Sequence, residues 1–139
     1  SNLASQLRAK NLRATPIRLT MLKILSETRQ PLAIDEIQSA LLKHKFTRFD
    51  LATLYRNVIS FKKAGLVISM NLGTTREYYE YIPPSAAHHH HHHVICESCR
   101  RVEHLDVCGI EAHLKMLEKM GYKKLQHRLE FSGLCRNCA

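Results

Sequence analysis

Residues 88–99 read HHHHHHVICESC: six imidazoles, His88 to His93, run through Val94 and Ile95 into a C-x-x-C pair, Cys96 and Cys99. Six consecutive histidines are also what a purification tag looks like. Tags sit at chain ends, however, and this run lies about two-thirds of the way along the chain, against a strand-like V-I-C. In an extended segment, successive side chains point to opposite faces. His88, His90 and His92 then face one way and His89, His91 and His93 the other, so one strand has the donors for two metal sites.

A second C-x-x-C, Cys135 and Cys138 in CRNC, stands near the end of the sequence. Two such knuckles supply four soft thiolates, the donor set of a closed tetrahedral structural zinc site. The stretch from Cys99 to Cys135 is too long for a compact zinc ribbon, so the metal would staple an intervening unit. Two disulfides are the alternative. No secretory leader is legible and a fifth cysteine, Cys108, is odd, so zinc in a cytoplasmic protein is the expectation.

With 139 residues and 45% hydrophobic content, the chain is long enough for one ordinary domain or two small ones. No apolar run approaches membrane-spanning length. A formal charge of +9 suggests a polyanionic partner, most often nucleic acid. The charge is uneven: residues 1–82 carry thirteen Lys/Arg against six Asp/Glu, and residues 83–139 carry eight against six. Basicity thus belongs to the front part and metal donors to the rear part, which suggests two modules.

The front part reads as helical. A short helix fits residues 3–10. The next starts at the N-cap Thr15 with Pro16 in its first turn, keeps Ile17, Met21, Ile24 and Leu25 at helical spacing, and ends near Thr28. A third runs from Ile34 to Lys43 with Ile34, Ile37, Leu41 and Leu42 as its apolar stripe and Asp35 and Glu36 in its first turn. A fourth runs from the cap Asp50 to Ala64, stopped by Gly65, with Leu51, Leu54, Val58 and Phe61 buried. LVISMNL and REYYEYI around Gly73-Thr74-Thr75 read as a hairpin, and helices followed by a two-stranded wing make a winged helix-turn-helix.

The fourth helix leaves Thr53, Tyr55, Arg56 and Asn57 on or near its outer face. Such residues serve a recognition helix in the major groove, and equally a solvated helix face. Arg13, Arg18, Lys62 and Lys63 have the charge to contact phosphates, or to be plain surface cations. Pro83-Pro84-Ser85-Ala86-Ala87 breaks any sheet ladder and reads as a hinge. The expected division is a DNA-binding domain over 1–82, a hinge over 83–87 and a metal-binding dimerisation domain over 88–139. Within the last, the reading is a strand to Cys96, a strand at 102–105, a helix over 107–120 ended by Gly121, and a strand at 125–132. The expected fold class is therefore α+β, a winged helix-turn-helix followed by a small α/β unit. So few strands leave exposed edges, and pairing with a second copy covers them.

These pieces in this order resemble the ferric uptake regulator (Fur) superfamily of metal-responsive repressors. The likeness is carried by R-A-T-x-x-R (Arg13, Thr15, Arg18), L-A-T-L-Y-R (Leu51 to Arg56), HHHHHHVICESC, Glu111, His127 and the terminal C-x-x-C. The resemblance implies a structural zinc on Cys96, Cys99, Cys135 and Cys138. It implies a second site on His90, His92, Glu111 and His127, and a hinge-spanning sensing site on Glu80, His91 and His93. Tyr55 and Arg56 match DNA-contacting positions, and Arg13, Thr15, Arg18 and Thr53 join them as candidates. Pro31-Leu32 occupies the region where many members have a sensing histidine, so His88 or His89 is left as the missing ligand.

His92 stands where iron regulators tend to place an aspartate, which gives the second site three imidazoles and one carboxylate. That donor set suits zinc better than iron(II) or manganese(II). Glu80 stands where several zinc sensors have a cysteine, which pulls back toward iron. Zinc is the favoured regulatory metal, with an iron-, manganese- or peroxide-responsive regulator as the alternative. The expected protein is a homodimeric, metal-dependent repressor on a palindromic double-stranded operator, with no membrane partner. A zinc enzyme is the rival from another class; the sequence lacks H-E-x-x-H, and Glu103-His104 is not followed by the P-C-x-x-C of a deaminase. A metal buffer working without DNA is the third reading.

Overall fold

A computed structural model describes residues 2–28, 30–71, 75–84, 92–105, 109–127 and 129–139. The chain divides into two compact units, Ser1–Ala87 and His88–Ala139.

The first unit holds four helices, α1 (Leu3–Ala9), α2 (Pro16–Glu27), α3 (Ile34–Lys43) and α4 (Leu51–Lys63), and two strands, β1 (Val67–Met70) and β2 (Tyr78–Tyr81). Short polar side chains set the helix starts. Asn2 Oδ1 accepts from the Ala4 N–H at 2.9 Å, Thr15 Oγ1 from Arg18 at 3.4 Å and Asp50 Oδ1 from Thr53 at 2.8 Å, each satisfying an otherwise orphaned donor. At α3 the reach is reversed, because Glu36 Oε1 accepts from the Ala33 N–H at 3.0 Å.

Three of the four helices end on one device. Asn11, Lys45 and Gly65 adopt φ of 59°, 64° and 75° just past α1, α3 and α4. The following amide then donates back five residues, Leu12 to Leu7, Phe46 to Leu41 and Leu66 to Phe61, at 2.9, 3.1 and 2.9 Å. Each stop turns the chain so that an apolar residue re-enters the core.

That core is continuous: Leu7, Met21, Leu22, Leu25, Ile37, Leu41, Leu54, Val58 and Phe61 are buried with Val67 and Tyr79 of the wing. Two stripe positions expected inside are not. Leu42 and Leu51 are about half exposed, because the helical arc that reaches the core is already filled by Leu41 and Leu54. β1 and β2 pair antiparallel from Val67 with Tyr81 to Met70 with Tyr78. Leu32 adds an isolated antiparallel bridge to β2, exchanging backbone hydrogen bonds with Tyr79 at 2.9 and 2.8 Å and tying the wing to the entrance of α3.

The second unit has β3 (His92–Cys96), β4 (Val102–Leu105), α5 (Glu111–Lys119) and β5 (Glu130–Gly133). β3 is central, antiparallel to β4 and parallel to β5, in the order β4-β3-β5. The strand-strand-helix-strand order is the expected one, with shifted bounds. α5 starts at Glu111, after Gly109, and Val107 lies outside the described residues. β5 starts at Glu130, where parallel pairing with His93 begins, and Lys124 at φ 54° interrupts extended backbone before it. No helix among the described residues is long and apolar enough to cross a membrane.

Candidate functional site

The two knuckles meet. β3 delivers Cys96 at its end, and the turn beyond it closes with the Arg100 amide donating to the Cys96 carbonyl at 2.9 Å while Arg100 adopts φ 64°. β5 lies beside β3 with Gly133 opposite Cys96, which carries Cys135 and Cys138 to the same end of the sheet. The four Sγ atoms all lie within 4.8 Å of one another. Cys99 Sγ and Cys135 Sγ are 3.8 Å apart, and none of the four is in a disulfide. A disulfide needs about 2.05 Å. Sulfur ligands about 2.3 Å from a tetrahedral ion stand about 3.8 Å apart, so the cluster fits a metal.

Its electrostatics fit as well. The backbone N–H groups of Cys135 and Cys99 point at Cys96 Sγ at 3.4 and 3.5 Å and hold that thiol down to about 6. The Asn137 amide lowers Cys135. Cys138, facing Cys135 and the other sulfurs, is pushed up to about 11 and gives up its proton last. Thiolates are the metal-binding form, and these amide donors stabilise them.

On the same strand, His92 is 3% exposed and its Nε2 lies 3.4 Å from Nε2 of His127 in the segment leading to β5. The ring centroids are 5.2 Å apart and the planes 40° tilted. That separation places two imidazole nitrogens where one ion can meet both. Of the four residues read as the second site, the structure brings these two together. Glu111 is exposed at the start of α5 and does not join them in a cluster, and His90 lies outside the described residues. For the sensing site, Glu80 is buried on β2 of the first unit and His93 on β3 of the second. His91 and Cys108 lie outside the described residues.

The candidate DNA contacts fall on α2, its entrance and α4. Arg13, Tyr55 and Arg56 are exposed. Thr53 Oγ1 donates to Asp50 Oδ1 at 2.6 Å and accepts from Arg56 Nη2 at 3.2 Å, which fixes Arg56 along the first turn of α4. Thr15 is occupied as the α2 cap. Asn57 corrects the sequence reading: it is 6% exposed, turned toward α2, where Arg18 Nε donates to its Oδ1 at 3.1 Å. Its neighbour in the heptad-like pattern, Val58, is apolar, and an isolated asparagine at a buried helical position was the only available signal. Sequence reasoning also missed the ion pair of Arg76 with Asp35, which joins the wing to α3.

The profile of the ferric uptake regulator family matches residues 9–132. The chain is 28% identical to the peroxide operon regulator of Bacillus subtilis (strain 168) over 134 residues, 96% of this chain and 88% of that protein. It is 29% identical to the peroxide-responsive repressor PerR of Staphylococcus saprophyticus over 135 residues, 96% of this chain and 87% of that one. Among solved structures, the Vibrio cholerae ferric uptake regulator superposes with a TM-score of 0.77 at 26% identity, covering 96% of this chain and all of the other (100%). These relatives are regulators and not enzymes. The family profile spans most of the winged helix and the first knuckle, Cys96 and Cys99, and the chain belongs to the ferric uptake regulator family.

Proposed function

We propose that this protein is a cytoplasmic, homodimeric, metal-dependent repressor that binds a palindromic double-stranded operator and senses zinc. The residues 1–82 are its DNA-binding domain, 83–87 the hinge and 88–139 the metal-binding dimerisation domain. The single observation that supports the metal choice is the convergence of two imidazole nitrogens, those of His92 and His127, 3.4 Å apart, since nitrogen donors suit zinc better than the harder iron(II) or manganese(II).

Cys96, Cys99, Cys135 and Cys138 would hold a structural zinc, which supplies a crosslink between β3 and the tail of β5. His92 and His127 would hold the second ion, with His90 and Glu111 assigned to it on family resemblance. Glu80, His91 and His93 are assigned to the sensing site on the same ground. Because Glu80 and His93 belong to different units, ligation by both favours one posture of the DNA-binding domains over others, and operator affinity follows that bias. Family resemblance makes Arg13, Thr15, Arg18, Thr53, Tyr55 and Arg56 the DNA-side candidates, whether by touching DNA or by positioning a residue that does, and Tyr55 and Arg56 are exposed on α4. Dimerisation is supported by α5, which buries none of its residues, and by the exposed Met116, Met120, Tyr122, Phe131 and Leu134.

Elemental analysis of protein purified without added metal, followed by titration of operator binding with Zn(II), Fe(II) and Mn(II), tests this. The expected result is one retained zinc per chain and operator binding at the lowest free concentration with Zn(II). Binding driven by Fe(II) or Mn(II) alone contradicts the zinc reading. The names of the two bacterial relatives favour a second reading, a peroxide-responsive regulator. Loss of operator binding by the iron-loaded, and not the zinc-loaded, protein on adding hydrogen peroxide would select it.

A further inference from the structure

Arg18 is one of the cations that a basic winged helix offers to phosphates, yet its guanidinium is engaged inward. Nε donates to Asn57 Oδ1 at 3.1 Å and Nη1 to the Arg13 carbonyl at 3.2 Å. Asn57 is buried on α4 and directs its own Nδ2 at Met21 Sδ, 3.5 Å away on α2. A buried amide oxygen needs a donor, and Arg18 Nε supplies it here. It links three things a DNA reader must keep in register: the segment carrying Arg13, the helix α2 beneath, and α4, whose next residue toward its N-terminus is Arg56.

We infer that Arg18 and Asn57 form an internal strut that sets the orientation of α4 on α2, so that Arg18 is a positioning residue for base readout and not a phosphate contact. The inference rests on the DNA-binding reading. A phosphate contact contributes about 0.9 to the slope of log affinity against log salt, whereas a strut contributes to discrimination between sequences and nothing to the slope.

The test uses the zinc-loaded full chain and a duplex it selects from a randomised pool, with a scrambled duplex as control. Arg13→Ala, at an exposed cation of the phosphate-facing set, is expected to lower the salt slope by about one. Arg18→Gln and Asn57→Leu are each expected to leave the slope unchanged while the selected-to-scrambled affinity ratio falls about tenfold, the scale of one mismatched base pair. The double variant should lose no more than the worse single one, because the two residues act through one bond. Asn57→Asp keeps the acceptor and should keep the ratio, which a general loss of packing would not allow. If Arg18→Gln does not fold, Arg18→Met, which also removes the charge and the forked donors while keeping a long side chain, carries the same comparison. A slope lowered by about one in the Arg18 variants, or additive losses in the double variant, overturns the strut. A wild-type chain that selects no sequence under any metal overturns the DNA-binding reading itself, which separates the two failures.

Discussion

Asp50 shows how one carboxylate serves both folding and recognition. It accepts from the Thr53 amide at 2.8 Å and from the Thr53 hydroxyl at 2.6 Å, and these bonds hold its pKa below the ordinary value, with Arg56 contributing in the same direction. A carboxyl whose folded pKa is depressed adds stability above its unfolded pKa and loses it as pH falls through the folded one. Asp50→Asn, which keeps a cap of similar quality and removes the charge, therefore lowers the melting temperature at neutral pH by roughly a few degrees, the scale of one charge lost at a helix N-terminus. Melting curves of both proteins should converge below about pH 4 as the wild-type carboxyl protonates. A gap that persists unchanged into that acid range would show that the cap acts through shape and not charge. On the wing, burial raises Tyr79 to about 12 with Glu77 beside it, so its phenol stays neutral throughout this range.

At the scale of elements, the end of α4 matters because it sets the exit of the helix proposed to read DNA and leads into the wing within three residues. Gly65 sits at φ 75° with nothing within 4 Å of where a Cβ would stand, so a side chain there meets backbone strain and not a clash. Gly65→Ala is expected to cost about 1 kcal/mol in denaturant unfolding without altering the fold; a neutral result would mean the stop is not strained. Such stops were legible in the sequence where glycine marks them, and Gly65 and Gly121 ended their helices as read. Asn11 and Lys45 perform the same turn without that mark, since tertiary packing of Leu12 and Phe46 compensates for the left-handed backbone. Leu42 and Leu51 were misplaced for a related reason: periodicity fixes an apolar arc but not how much of it the neighbours can cover. The four cysteines were fully legible because two C-x-x-C pairs constrain their own chemistry. Asn57 was not, because an amide on a helix reads as surface until its partner, Arg18, 39 positions away, is placed beside it.

The two units are built on different footings. The first carries a continuous apolar core from Leu7 to Tyr79. In the second, the buried hydrophobic residues among those described are Ile95, Cys96 and Val102, while Met116, Met120, Tyr122, Phe131 and Leu134 face outward. A unit with so small an interior needs crosslinks or a partner surface, and on the proposed reading a metal on the thiol cluster and a second copy against the exposed α5 would meet that need. On that reading metal occupancy would be coupled to the assembly of the rear unit, and through a dimer to the spacing of two α4 helices on DNA. The measurement that tests this most directly is the zinc affinity of the full chain in a zinc-buffered titration, with and without its selected operator duplex. Linkage requires the operator to tighten zinc binding by the same factor that zinc tightens operator binding, and that reciprocal gain is the predicted result; a zinc affinity that the operator leaves unchanged would contradict it.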